Sequence, residues 1–137
     1  MEPPKISGKL YSPGSVTIAT LLGSPLAGAI VMALNYDRMG QRKTAWQCCA
    51  LGFVGTVALF ALGIIFPKLP NGAAVGSVVG MYYAAKSAQG PQFQQHIQQG
   101  GRADSPWKAA GIGLLCLVVI GFFIVAFAAL FPKVMHE

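Results

Sequence analysis

Three stretches of this chain, Val16 to Leu34, Ala45 to Phe66 and Ala109 to Phe131, carry no Asp, Glu, Lys, Arg or His. A helix crosses the hydrocarbon core of a bilayer with about 20 apolar residues, so each stretch is long enough to span as a helix. The boundary residues agree. Ser12-Pro13 is a helix-start signal, with Ser as cap and Pro in the first turn, where its missing N–H costs nothing. Trp46 opens the second stretch and Phe66-Pro67-Lys68 closes it; Asp104-Ser105-Pro106-Trp107 has the chemistry of a cap for the last. Pro25 falls in the middle of the first stretch, which predicts a kinked helix in which the Leu21 carbonyl loses its backbone partner.

A fourth segment is shorter. Ala73 to Ala85 is uncharged, and extending it to about 71–88 with Asn71 as a cap gives a helix just long enough for a thin bilayer. An internal repeat favours counting it. The second stretch runs from Trp46 to Phe66-Pro67-Lys68 and the last from Trp107 to Phe131-Pro132-Lys133, each preceded by a Gly-rich segment with Tyr near its end. The expected fold is therefore all-α: an integral membrane four-helix protein with spans at about 15–36, 45–66, 71–88 and 107–131, built as two tandem helical hairpins in a single membrane domain, residues 1–137. Between the third and fourth spans, Phe93 and Ile97 lie four apart and predict a short interfacial helix ended by Gly100-Gly101.

Composition supports lipid as the solvent, since 54% of the residues are hydrophobic and 10% charged, too few polar groups to coat a soluble domain. No hydrophobic run precedes the first stretch, so no cleavable signal peptide is expected and the first span directs insertion. The net charge of +6 is spread in ones and twos beside the apolar segments, which fits lipid headgroups and topology signals and gives no nucleic-acid surface. Four spans would place Arg38, Arg42, Lys43, Lys86, Arg102 and Lys108 on one side and Lys5, Lys9, Lys68 and Lys133 on the other, a small bias that puts both termini outside and leaves dual topology open.

Candidate chemistry is sparse. Cys48, Cys49 and Cys116 fall in apolar segments without metal or disulfide spacing, and His96 has no second ligand at coordinating distance along the chain. His96 reads as a solvated loop residue. The chain has no nucleophile–base pattern, HExxH or phosphate loop. Asp37 and Asp104 could meet if the two longer loops pack, but four acidic residues in all offer little for acid–base catalysis. An enzyme is not expected, nor a cofactor, nor a metal.

The informative residues are small ones. Gly72, Gly76, Gly80 and Ala84 repeat every four positions and form a helix-packing seam, within the chain or between copies, or else a substrate-lining surface. Gly23, Ser24, Ala27 and Gly28 surround Pro25, so Ser24 and Pro25 mark a kink or a pathway. Asn35 could bond across helices or coordinate a solute, but beside Tyr36 and Asp37 it reads as part of a helix-end collar. The expected function is that of a small multispan membrane protein, a structural or accessory subunit working through helix packing and oligomerisation. Its expected partners are the lipid bilayer and copies of itself or a larger membrane complex, in a bacterial inner membrane. The alternative is an oligomeric passive channel or small-solute carrier.

Overall fold

A computed structural model describes residues 8–68 and 72–132. The described chain is all-helical, with α1 at Pro13–Leu22, α2 at Pro25–Arg38, α3 at Arg42–Ile65, α4 at Gly72–Gln98 and α5 at Pro106–Leu130. The only β-type pairing among the described residues is an isolated parallel bridge between Leu10 and Ala103. Two helices, α3 and α5, are long and apolar enough to cross a membrane.

The expected first span is not one helix. It breaks at Gly23-Ser24, and α2 folds back along α1 as an antiparallel hairpin. Tyr11, just before α1, meets Asn35 near the end of α2, while Thr20 near the end of α1 sits against Gly28 near the start of α2. At 1.5 Å per residue, the 10 residues of α1 reach about 15 Å and the 14 of α2 about 21 Å. Pro25 is therefore the first residue of a helix rather than a kink inside one, as Pro13 is for α1 and Pro106 for α5.

This hairpin is the hub. α3 packs along α2, α5 along α1, and α4 against both hairpin helices, whereas α3, α4 and α5 make no substantial contact with one another among the described residues. The described arrangement has five helices and no tandem pair of hairpins, and it leaves the four-span reading unconfirmed. The repeated Trp and Phe-Pro signals do mark the ends of α3 and α5, but each of those helices is paired with half of the hairpin. The third predicted span is also longer than expected. α4 runs through Pro91 to Gln98, absorbing the separate interfacial helix, and its expected Asn71 cap lies outside the described residues.

Glycine sets the close approaches. A Cβ on Gly52 would run into Ala29 and the Leu26 backbone, one on Gly28 into Thr20 and Met81, and one on Gly23 into the Gly113 carbonyl. Close van der Waals contact between helix backbones needs residues without bulk at the crossing points. The predicted seam behaves differently. Gly72, Gly76, Gly80 and Ala84 are all exposed, and a Cβ on any of the three glycines meets nothing within 4 Å. The stripe faces outward because α4 turns its other face, with Met81, Ala85 and Gln89, to the hairpin. Packing within the chain is thus not its role.

These contacts give opposite expectations for two glycines. Gly52→Leu should destabilise the folded chain by about 3 kcal/mol or abolish folding, because both helix backbones must separate. Gly76→Leu should leave the monomer within about 0.5 kcal/mol of the parent. Thermal unfolding in mild detergent, followed by circular dichroism, compares them.

Candidate functional site

The hairpin ends half-way along its neighbours, and a cavity of about 530 Å³ lies beyond its tip. The floor is made by Thr20 to Pro25 with Thr56, and the walls by α3 from Leu59 to Pro67 and α4 from Ala73 to Val78, with Leu117 of α5. Ser24 and Pro25, singled out from the sequence, do come together here.

Ser24 has φ 152° and ψ 174°, a backbone region essentially reserved for glycine. The strain arises because two helices of opposite direction must be joined by two residues. Unlike Ser12 and Ser105, whose hydroxyls accept from Ser15 N and Trp107 N, Ser24 makes no cap bond. Its Oγ is buried with no partner, closed off from the cavity above it. The amide that it might have capped is held elsewhere: Leu26 N donates to Thr56 Oγ1 at 3.0 Å, and Thr56 passes its own proton to the Gly52 carbonyl at 2.8 Å. One α3 hydroxyl thus pins the start of α2.

The opposite end of the hairpin is closed by polar contacts. Asn35 is 1% exposed; its Oδ1 accepts from Tyr11 N at 2.8 Å, and its Nδ2 donates to Tyr11 O at 2.9 Å and Gln89 Oε1 at 3.0 Å. Gln89 Nε2 in turn donates to the Met32 carbonyl at 2.9 Å. Asn35 is therefore a lock between the N-terminal segment, α2 and α4, and the helix-end collar reading is corrected. It also lies ten residues from Pro25 on α2, about 15 Å along the axis, so the two share no pathway.

Outside this lock sits a charged cluster. The Asp104 side chain, 2% exposed, takes Arg38 Nη1 at 2.8 Å and Lys108 Nζ at 3.1 Å, and accepts from Ser105 N at 2.8 Å. Arg38 also donates to the Lys9 carbonyl and lies over the Tyr11 ring at 5.0 Å from its centroid. Burial alone would raise the Asp104 carboxyl. The hydrogen bonds from Arg38, the Ser105 amide and Lys108, with the Arg38 charge, outweigh it and hold the group down at about 2, against an ordinary 3.8. The two aspartates do not meet: Asp37 pairs loosely with Arg42 at 3.9 Å on the exposed surface.

Sequence reasoning missed Tyr11, Gln89, Arg38 and Thr56 as structural partners, because nothing along the chain links residues 24 to 66 positions apart. His96 is likewise buried, tucked under Gly101 with Nε2 unpartnered, because α4 extends through it. Among the described residues no three His, Cys, Asp or Glu gather as a metal site, and the three cysteines are free. Compared with protein-family models, curated proteins and solved structures, the chain matches none.

Ser24→Gly should stabilise the protein by roughly 1–2 kcal/mol, since it removes both the backbone strain and the unpaired hydroxyl. Ser24→Ala keeps the strain and should gain less; thermal midpoints rank the three chains. The depressed Asp104 carboxyl makes the charged cluster acid-labile. Its contribution is complete above pH 3.8 and falls away as pH drops through about 2, a loss of roughly 2 kcal/mol. A melting series across that range should show the slope in the parent and a flatter one in Asp104→Asn.

Proposed function

We propose that this chain is a small multi-pass membrane protein in which α3, α4 and α5 cross the bilayer and the α1–α2 hairpin enters only half-way. It acts as a structural or accessory subunit through helix association, with no catalytic centre of its own. Exposed apolar side chains support the membrane reading. They run the length of α3 and α5, from Trp46 (73% exposed) to Ile65 and from Trp107 (84% exposed) to Leu130. A backbone reversal within the hydrocarbon layer is tolerated only where protein surrounds it, and the hairpin is surrounded by α3, α4 and α5.

The half-depth hairpin also sharpens orientation. It brings the Lys9 segment to the same end as residues 38–43 and 86–108, so among the described residues that end has Lys9, Arg38, Arg42, Lys43, Lys86, Arg102 and Lys108, against Lys68 at the other. Seven against one is a strong bias where four spans gave a weak one. It favours a cytoplasmic basic end, as in a bacterial inner membrane, with the end of α5 on the far side.

The observation that carries the association reading is the exposed Gly72–Gly76–Gly80–Ala84 stripe on a helix that its own chain packs on the other face. Two overlapping GxxxG motifs on an outer face allow a neighbouring backbone to approach closely. The channel alternative is disfavoured by the closed end of the hairpin, where Tyr11, Asn35 and Gln89 satisfy one another and fill the path.

In a background lacking Cys48, Cys49 and Cys116, cysteines at Lys9, Gln41 and Gln99 should react with an impermeant reagent from one side of the membrane, and one at Lys68 from the other. Reaction of Lys9→Cys and Lys68→Cys from the same side would mean that the first segment crosses fully. Native mass measurement in mild detergent tests association: Gly76→Leu should reduce the assembly to folded monomer, and an unchanged assembly size would remove the stripe from any interface.

A further inference from the structure

The cavity beyond the hairpin tip has a chemistry of its own. At ~30 Å³ per molecule its 530 Å³ would hold roughly 18 waters, each needing two to four polar partners. The walls are mainly apolar and supply few of them. Above the floor the only lining side chain with a polar group is Ser77, and its proton goes to the Ala74 carbonyl at 2.7 Å. At the floor, Thr20 and Thr56 donate to the Val16 and Gly52 carbonyls, both at 2.8 Å, and the Ser24 hydroxyl is sealed off. Leu59, Phe60, Phe66, Val75, Val78 and Leu117 line the rest.

Its depth is equally specific. From Thr56 at the floor to Phe66 at the rim is ten residues of helix, about 15 Å, which is half of a hydrocarbon core about 30 Å thick. The space therefore has the height of one leaflet. Because α3, α4 and α5 make no substantial contact with one another among the described residues, it can open sideways between helices.

We propose that the cavity holds the acyl chain of a bilayer lipid drawn from the leaflet at the far end from the basic cluster. Apolar walls, leaflet depth and lateral openings all fit a hydrocarbon chain that slides in from the membrane. The bound chain fills the half of the bundle that the hairpin leaves empty and so supports α3, α4 and α5 where the described residues give them no close neighbour. The proposal rests on the membrane reading above.

The test uses the full chain in phosphatidylglycerol–phosphatidylcholine vesicles containing a lipid with a mid-chain diazirine, with cross-links mapped by mass spectrometry. Gly63 lines the cavity, and a Cβ added there meets nothing within 4 Å, so Gly63→Trp should fill part of the space at little cost to the fold. Ile64, 80% exposed on the outer face at the same depth, gives the control Ile64→Trp. Cross-links at Leu59, Val78 and Leu117 should fall on the order of tenfold in Gly63→Trp and persist in Ile64→Trp, with melting unchanged in both. Four results would overturn the proposal. Cavity cross-links could be absent while outer residues such as Leu51 and Phe53 are labelled, or could be insensitive to Gly63→Trp. They could also disappear as protein density rises, which would make a second copy the occupant. Rapid reaction of Val78→Cys with a charged thiol reagent would make the space aqueous and equally end the idea. Absence of label on outer residues as well would reject the membrane reading itself.

Discussion

The chain reversal at Gly23-Ser24-Pro25 is the constraint on which the rest of this structure depends. A turn between two short helices interrupts the backbone ladder, and in apolar surroundings each unpaired group costs several kcal/mol. The turn is therefore enclosed. Gly23 lies against the Gly113 backbone, Leu26 N is taken by Thr56, and Gly52 admits the first turn of α2. Remove any of these and the hairpin loses the surroundings that make it tolerable. The strain left at Ser24 is carried by that enclosure.

The two ends of the hairpin are held by different physics. At the tip, small residues let backbones approach, and the stabilisation is dispersion spread over many contacts. At the base, a few directional bonds do the work, through Asn35 to Tyr11 and Gln89 and through Asp104 to Arg38 and Lys108. Asn35, Gln89 and Asp104 are buried, so losing a partner leaves each a costly orphan. One consequence is an end that is shut and pH-sensitive in acid. The other is a half-bundle beyond the tip in which three helices stand apart.

α4 illustrates how these features separate the functional surfaces. Its inward face meets Gly28 through Met81 and the hairpin base through Gln89, while higher up Ser77 and Val78 look into the cavity. Its outward face carries the glycine stripe. The proposed association surface and the cavity wall therefore involve different residues of one helix.

The sequence by itself determined that the chain is helical, where α3 and α5 lie, and that the basic residues sit outside the apolar runs. These follow from composition and from end signals such as Trp46, Phe66-Pro67 and Ser105-Pro106, which act locally. A clue to the hairpin was also present: Ser-Pro occurs at 12–13, 24–25 and 105–106, and all three open helices. The middle one is obscured because an uncharged run has the same hydropathy whether it forms one long helix or two short antiparallel ones. Only the tertiary structure decided between these, since the reversal is stabilised by Thr56, Gly52 and Gly113, far along the chain. It likewise decided which glycines are packed and which are open, because spacing places Gly72, Gly76 and Gly80 on one face of α4, but the position of the hairpin determines that this face points outward.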